Sequence, residues 1–202
     1  MSLAPPSLRL NATGLPVVLV LAAGRGERFS ASGAQVHKLE ALLGGKRVLQ
    51  HVIDAVKQSG LPCHVVRPAD LARAGSTEPR PGMGDSIAAG VAATPDAPGW
   101  LILPGDLPLV QAQTLRALAL APPCEVLVPV YRGKRGHPVR FAASCGAALR
   151  GLAGDQGAAR IVKAHDALGN AQFVEVDDAG VVTDIDTLDD LSRAEALWQQ
   201  RA

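Results

Sequence analysis

Short apolar runs alternate with segments of helical spacing along the first 130 residues, and this alternation limits the folds open to the chain. The run from Pro16 to Leu21 is continuously apolar and rich in β-branched residues, which is typical of a strand buried on both faces. Similar runs lie at 63–66, 100–103 and 125–131, and apolar residues recur at helical spacing in 48–59, 87–92 and 113–120. The pattern predicts an α/β fold with a mostly parallel sheet wrapped by helices.

The remaining third of the chain has a different pattern. Two short helices are predicted at 142–150 and 155–165, and the runs 173–176 and 181–182 predict a pair of strands that would form a small β extension. Thr187 and Asp190 have the spacing of a capping box and predict the start of a last helix. We expect a single domain over 16–202, preceded by a flexible leader at 1–15.

Composition and charge exclude several classes of protein. The 202 residues carry a formal net charge of +1, unlike the strongly basic domains that bind nucleic acid, so a small-molecule partner is expected. The three cysteines, Cys63, Cys124 and Cys145, lie far apart and predict free thiols rather than a zinc site or disulfides. With neither a signal-peptide pattern nor an apolar run of about 18 residues, we expect a cytoplasmic protein that is not bound to a membrane.

The glycine-rich stretch that follows the first predicted strand is the first candidate site. The polar segment from Ala22 to Lys38 predicts a loop, and Gly24 and Gly26 allow backbone N–H groups to approach an anion. In a parallel sheet this loop lies at the carboxyl ends of the strands, where ligands bind. Arg28 and Lys38 could neutralise a triphosphate there. The segment is neither a P-loop nor a dinucleotide fingerprint, and a purely structural turn is the alternative interpretation.

Two carboxylates form the second candidate site. Asp106 follows the predicted strand at 100–103, at the same edge of the sheet as the glycine loop, and Asp186 precedes the last helix. Carboxylate oxygens are the ligands that Mg²⁺ prefers, and a bound Mg²⁺ would bridge phosphate oxygens. The alternatives are structural: a turn aspartate before Pro108 for Asp106, and a helix N-terminal charge for Asp186.

Seven segments, in order along the chain, resemble the MobA-like nucleotidyltransferases within the wider GT-A-like NTP-transferase fold. Their order and spacing cover nearly the whole chain from 17 to 192, and the Leu-Ala-Ala-Gly start is similar to the branch that transfers CMP to molybdopterin. The segments are Leu21–Phe29, Lys38–Leu39, Gly82–Ser86, Pro104–Pro108, Arg135–Val139, Gly154–Ala158 and Asp184–Thr187.

The resemblance implies roles for residues in several of the matched segments. It implies Mg²⁺-dependent transfer of CMP from CTP to a molybdopterin-type acceptor, with release of pyrophosphate and a molybdenum enzyme as a possible client. Arg28, Lys38 and Asp106 would be catalytic, with Asp106 and Asp186 as the metal ligands, and His137 and Pro138 would contact the acceptor. The implied nucleotide-binding residues are Leu21, Ala22, Ala23, Gly24, Gly26, Arg28, Lys38, Gly82, Met83 and Ser86. The chain departs from the family pattern at Ser30, which replaces a glycine, and at 31–37, which read as an insertion.

Other functions stay open at this point. A relative of the same fold could transfer GMP, or act on a sugar phosphate or an alcohol phosphate. A non-catalytic chaperone could carry the molybdenum cofactor, and a generic α/β binding domain is the least specific alternative. His137 could be an ordinary turn residue, and the basic residues at 132–135 could form either a solvated hairpin tip or an acceptor-phosphate site.

Overall fold

The computed structural model describes residues 14–73 and 82–201, which contain nine strands and eight α-helices. The strands are β1 (Val17–Leu21), β2 (Leu42–Leu43), β3 (Lys46–Arg47), β4 (Cys63–Val66), β5 (Gly99–Pro104), β6 (Val126–Tyr131), β7 (Lys134–Arg135), β8 (Val139–Ala142) and β9 (Ala171–Glu175). The helices are α1 (Glu27–Ala31), α2 (Val48–Ser59), α3 (Pro68–Arg73), α4 (Met83–Ala93), α5 (Ala112–Leu120), α6 (Gly146–Arg150), α7 (Ala159–Ala167) and α8 (Leu188–Gln199).

Seven of these strands form one sheet. Six of them follow the order β4-β1-β5-β8-β6-β7, and the seventh, β9, pairs with β6. Strand β1 is parallel to both β4 and β5, and β9 is parallel to β6. Strand β8 runs antiparallel to β5 and β6, and β7 antiparallel to β6. The predicted α/β fold with a mostly parallel sheet is confirmed.

Helices on the two faces of the sheet explain the continuous apolar run of β1. Val17 and Leu19 pack in one hydrophobic core with Ile87 of α4, whereas Val18 and Val20 pack in another with residues of α2 and α5. Because successive side chains of a strand point to opposite faces, a strand between two helical layers must be apolar at every position.

The predicted strand at 181–182 is wrong. Residues Ala179–Val182 form a short 3-10 turn. The buried carboxylate of Asp178 holds this turn, since it accepts hydrogen bonds from Gly180 N (2.9 Å), Gln111 N (2.9 Å) and Thr114 Oγ1 (2.8 Å). Two of these donors come from distant residues, so the apolar pair alone could not reveal the turn.

Three helix boundaries also differ from the sequence-based expectation. The predicted loop at 22–38 contains the short helix α1, and the helix predicted from 155 begins at Ala159. Helix α4, expected from the helical spacing at 87–92, already begins at Met83, where the Asp85 carboxylate accepts a hydrogen bond from Gly82 N (2.8 Å). The capping box at Thr187 and Asp190 is confirmed. Residues 1–13 of the predicted leader lie outside the described residues, and the single domain stays a prediction.

Candidate active site

The four charged side chains that the sequence singled out lie together in the structure. The Lys38 ammonium contacts Asp106 Oδ2 (2.5 Å) and Asp186 Oδ1 (3.0 Å), and the Arg28 guanidinium contacts Asp186 Oδ2 (2.7 Å). Lys38, Asp106 and Asp186 are largely buried, whereas 78% of the Arg28 side chain is exposed. A buried lysine between two carboxylates therefore lies beside an arginine that is exposed at the surface.

Backbone hydrogen bonds join the three segments that carry these side chains. Gly105 N donates to Leu21 O (3.0 Å), which ties the end of β5 to the end of β1. Ile185 N donates to the carbonyl of Asp106 (3.0 Å), which places Asp186 beside that carboxylate. The convergence thus follows from the parallel arrangement of β1 and β5, because their carboxyl ends meet at one edge of the sheet.

A cavity of about 350 Å³ opens beside this cluster. Most of the predicted nucleotide-binding positions line it, as does Asp155, to which sequence reasoning gave no role. The predicted site residues that line it are Leu21, Gly24, Gly26, Arg28, Lys38, Gly82, Met83, Ser86, Asp106 and Asp186. Ala22 and Ala23 instead belong to the buried packing clusters, because Ala22 N still donates to Val66 O (2.9 Å) as a continuation of the sheet.

Close backbone packing explains the glycines at the start of α4. Gly84 N donates to Gly154 O (2.8 Å), and a Cβ at Gly84 would lie 2.7 Å from Gln156 O. A Cβ at Gly82 would lie 2.3 Å from Gly154 O. Only glycine permits this approach, which brings Asp155 to the same cavity as Met83 and Ser86. The glycines in both segments were the sequence signal that could have pointed to this part of the site. Their spacing, however, could not show that the two segments touch each other.

A second cavity of about 240 Å³ shares Leu21, Met83 and Pro104 with the first. Its walls are mostly apolar, and His137 and Arg135 supply its polar side chains among the described residues. His137 Nδ1 is buried and has no hydrogen-bond partner within the described ranges. Pro138 is buried but does not line this cavity, whereas the predicted acceptor residue His137 does.

The surroundings of these groups shift three pKa values. Burial acts to lower the pKa of Lys38, but the Asp106 and Asp186 carboxylates outweigh it, so this pKa lies above the ordinary value of 10.5. Burial lowers the pKa of His137 below 6.5, although Asp106 and Asp184 oppose the change. Partial burial raises the pKa of Asp184, and the neighbouring carboxylates add to that effect. Lys38 is therefore a cation and His137 a neutral ring at pH 7.

The carboxylates fit a Mg²⁺ ion that also binds phosphate oxygens. Asp106 Oδ1 is buried and has no hydrogen-bond partner in the described part of the chain. This oxygen is therefore free to coordinate a metal ion. Within residues 14–73 and 82–201, no group of three or more His, Cys, Asp or Glu side chains is arranged to hold a metal. Mg²⁺ characteristically binds through one or two carboxylates together with substrate phosphates and water, which is the donor set available here.

Comparison with known protein families and relatives shows what the chain is similar to. A family model described as "MobA-like NTP transferase domain" matches residues 18–168, more than half of the chain. The chain is 35% identical over 108 residues to the purine catabolism protein PucB of Bacillus subtilis, covering 52% of this chain and 52% of PucB. It is 30% identical over 180 residues to the bifunctional protein GlmU of Stenotrophomonas maltophilia, covering 82% of this chain and 36% of GlmU. The chain thus spans about half the length of PucB and about a third of GlmU.

Solved structures show the same fold. Rv0371c from Mycobacterium tuberculosis superposes with a TM-score of 0.71 at 27% identity, covering 90% of this chain and 98% of that protein. Its manganese complex gives a TM-score of 0.70 at 26% identity, covering 90% and 98%. A nucleotidyl transferase from Methanothermobacter (Mth528) gives 0.77 at 24% identity, covering 93% and 99%, which shows the fold alone. Within the described residues, no helix is long and apolar enough to cross a membrane.

Proposed function

The chain belongs to the MobA-like NTP transferase family, a family of nucleotidyltransferases, and we propose that it transfers CMP from CTP to a molybdopterin-type acceptor and releases pyrophosphate. One observation carries the proposal: Lys38 lies between Asp106 and Asp186, with Arg28 beside them, in a cavity closed by the glycine loop. Anionic and cationic groups that line one cavity suit a metal-bound triphosphate better than a neutral ligand.

Each charged group has a separate task in this proposal. Asp106 and Asp186 would hold Mg²⁺, which would supply positive charge to the phosphate oxygens. If the carboxylates bound the metal, the Lys38 ammonium would be free to contact phosphate, whose negative charge would in turn favour the protonated lysine. Arg28 is exposed and can follow the departing pyrophosphate. An acceptor phosphate is already ionised, so the reaction requires positioning and electrostatic stabilisation rather than a general base.

The second cavity supports the proposed acceptor. Its apolar walls suit the faces of a flat heterocycle, and the His137 ring can bond a polar group at the heterocycle's edge. Because Leu21, Met83 and Pro104 line both cavities, an acceptor in the second would face a nucleotide in the first. Arg135 also lines this cavity and would contact an acceptor phosphate by exchanging its surface ion pair with Asp166 (3.3 Å). A molybdenum enzyme is a possible client for the product.

A nucleotide panel tests the proposed function. We expect pyrophosphate release when the protein is mixed with molybdopterin, Mg²⁺ and CTP, and much less with GTP, UTP or ATP. Release with GTP alone would point to a guanylyl transferase. Binding of molybdopterin without pyrophosphate release from any nucleotide would point to a carrier instead.

Thermal unfolding gives a second test that needs no acceptor. A ligand at 100 times its Kd stabilises the folded state by about 2.7 kcal/mol, which raises Tm by about 5–10 °C for a chain of this size. We expect this rise with CTP and Mg²⁺ together, and we expect EDTA to abolish most of it. A rise that persists in full in EDTA would contradict the metal assignment.

A further inference from the structure

His37 lies beside the triphosphate site, and neither the family resemblance nor the proposed function gives it a role. It directly precedes Lys38, at the end of the segment 31–37 that reads as an insertion. The Lys38 ammonium is held by two carboxylates, yet the position of its backbone depends on this segment.

The His37 ring connects two backbone groups across the loop. Its Nδ1 accepts a hydrogen bond from Leu39 N (3.2 Å), so the proton of the neutral ring is on Nε2. Nε2 then donates to the carbonyl oxygen of Gly24, at 2.9 Å. One neutral imidazole therefore joins the glycine loop to the turn that carries Lys38.

The turn on the other side of His37 is firmly anchored. The His37 carbonyl accepts from Glu40 N (2.9 Å) and Ala41 N (3.1 Å). Leu39 is buried, and its carbonyl accepts from Leu49 N (3.1 Å) at the start of α2. Consequently the imidazole projects from a fixed support towards the glycine loop, in which Gly24 and Arg25 are exposed.

Two features of the glycine loop depend on this contact. Gly26 has a left-handed conformation (φ 65°), and a Cβ there would lie 3.2 Å from His37 Nε2 and 3.3 Å from Lys38 Cγ. The loop is thus packed directly against the His37–Lys38 pair. A trans peptide places its carbonyl and its N–H on opposite sides, so holding the Gly24 carbonyl also fixes the direction of the Arg25 N–H. An anion needs the N–H groups of such a loop, and a free carbonyl would repel it.

We propose that His37 is a positioning residue for the triphosphate. Its imidazole holds the Gly24–Gly26 loop at a set distance from Lys38, and it keeps the Gly24 carbonyl oxygen pointed at the imidazole and away from the phosphates. The inference rests on the proposed function, because it concerns the nucleotide of that same site. It predicts that His37 matters for the β- and γ-phosphates and not for the nucleoside. A merely structural histidine would not distinguish among nucleotides by their number of phosphates.

Binding of CTP and CMP to His37→Ala tests this inference. With Mg²⁺ present, we expect about 10-fold weaker CTP binding by calorimetry, the effect of losing one hydrogen bond that orders a charged site. CMP lacks the outer phosphates, so we expect its affinity to change less than 2-fold, within the effect of ordinary surface substitutions. His37→Gln, whose amide can still donate a hydrogen bond to Gly24 O, should keep most of the wild-type affinity for CTP. If His37→Ala does not fold, His37→Gln replaces it as the variant in which the binding of CTP and CMP is compared.

Gln35→Ala is the matched control, because Gln35 lies in the same segment and its side chain bonds only the nearby Gly33 carbonyl in the described structure. It should bind CTP as the wild type does. Unchanged CTP affinity in His37→Ala, or equal losses for CTP and CMP, would overturn the inference while leaving the proposed function intact. A wild-type protein that binds no nucleoside triphosphate would refute the proposed function, and this inference with it.

Discussion

Asp106 carries an unusual pair of oxygens. Oδ2 accepts from the Lys38 ammonium, whereas Oδ1 is buried without a hydrogen-bond partner among the described residues. A buried acceptor without a partner is unfavourable by about 1–3 kcal/mol, and more when it is charged. Buried polar atoms without a protein partner are often ones that a ligand uses, so we expect Asp106 to contribute more to ligand binding than to stability.

Asp106→Asn should therefore abolish transfer without unfolding the protein. The amide has the same shape but loses the negative charge, so we expect pyrophosphate release to fall at least about 100-fold, the usual effect of removing one strong electrostatic contact. Asp54→Asn is the control, because Asp54 pairs with the exposed Lys46 outside the cavity. Circular dichroism should show both variants folded. Full Mg²⁺-dependent turnover by Asp106→Asn would contradict the metal assignment.

Sequence reasoning found the charged residues of the site and missed the close contacts. Arg28, Lys38 and Asp106 could be placed because each follows a strand whose end lies at a known edge of a parallel sheet. Asp155 could not, since it reaches the cavity only through the packing of Gly84 on the turn at 153–156. Contacts between distant backbone segments leave little trace in local periodicity.

At the scale of elements, the start of α4 and the turn at 153–156 act as one unit. Their backbones touch, and the unit carries Met83 and Ser86 together with Asp155. The strands were predictable because burial on both faces makes them uniformly apolar. The 3-10 turn at 179–182 was not, because the bonds of Asp178 to Gln111 and Thr114 come from far along the chain.

Gly84→Ala should separate these two segments. The added methyl group would lie 2.7 Å from Gln156 O and 2.8 Å from Ala153 N, so backbone must move, and such overpacking is unfavourable by about 1–3 kcal/mol. We expect a Tm lower by about 2–10 °C and weaker CTP binding. Gly157→Ala is the matched control, since its methyl group would meet only the flexible Met83 thioether, at 3.1 Å. Equal Tm values for the two variants would show that the contact between Gly84 and the turn at 153–156 tolerates a methyl group.

At the scale of the whole molecule, the sheet separates two hydrophobic cores and presents two adjoining cavities at its edge. The polar cavity lies where β1 and β5 end, and the apolar one extends over Val128 and Phe141 of the antiparallel part. The reversed strand β8 contributes Val139 and Phe141 to the apolar cavity. In the proposed function, this division would let a single sheet bind a charged nucleotide in one cavity and a flat acceptor in the other.

The position of His137 between these two regions has a consequence for stability. Burial lowers its pKa in the folded state, so below pH 6.5 the unfolded chain binds more protons than the folded one. This contribution to stability is complete above pH 6.5 and is lost as the pH falls below it. Asp184, with its raised pKa, acts in the opposite direction at acid pH.

We therefore expect the Tm of the wild-type protein to fall between pH 7.5 and pH 5.5 more steeply than that of His137→Gln, which has no titrating group at this position. Comparing the two proteins removes the contribution of Asp184 and of every other group that both share. Thermal unfolding monitored by circular dichroism at several pH values in one buffer system measures the difference. Parallel pH profiles for the two proteins would contradict this expectation, because they would show that His137 takes up a proton in the folded protein at no cost in stability. Water would then have to reach His137 through the second cavity.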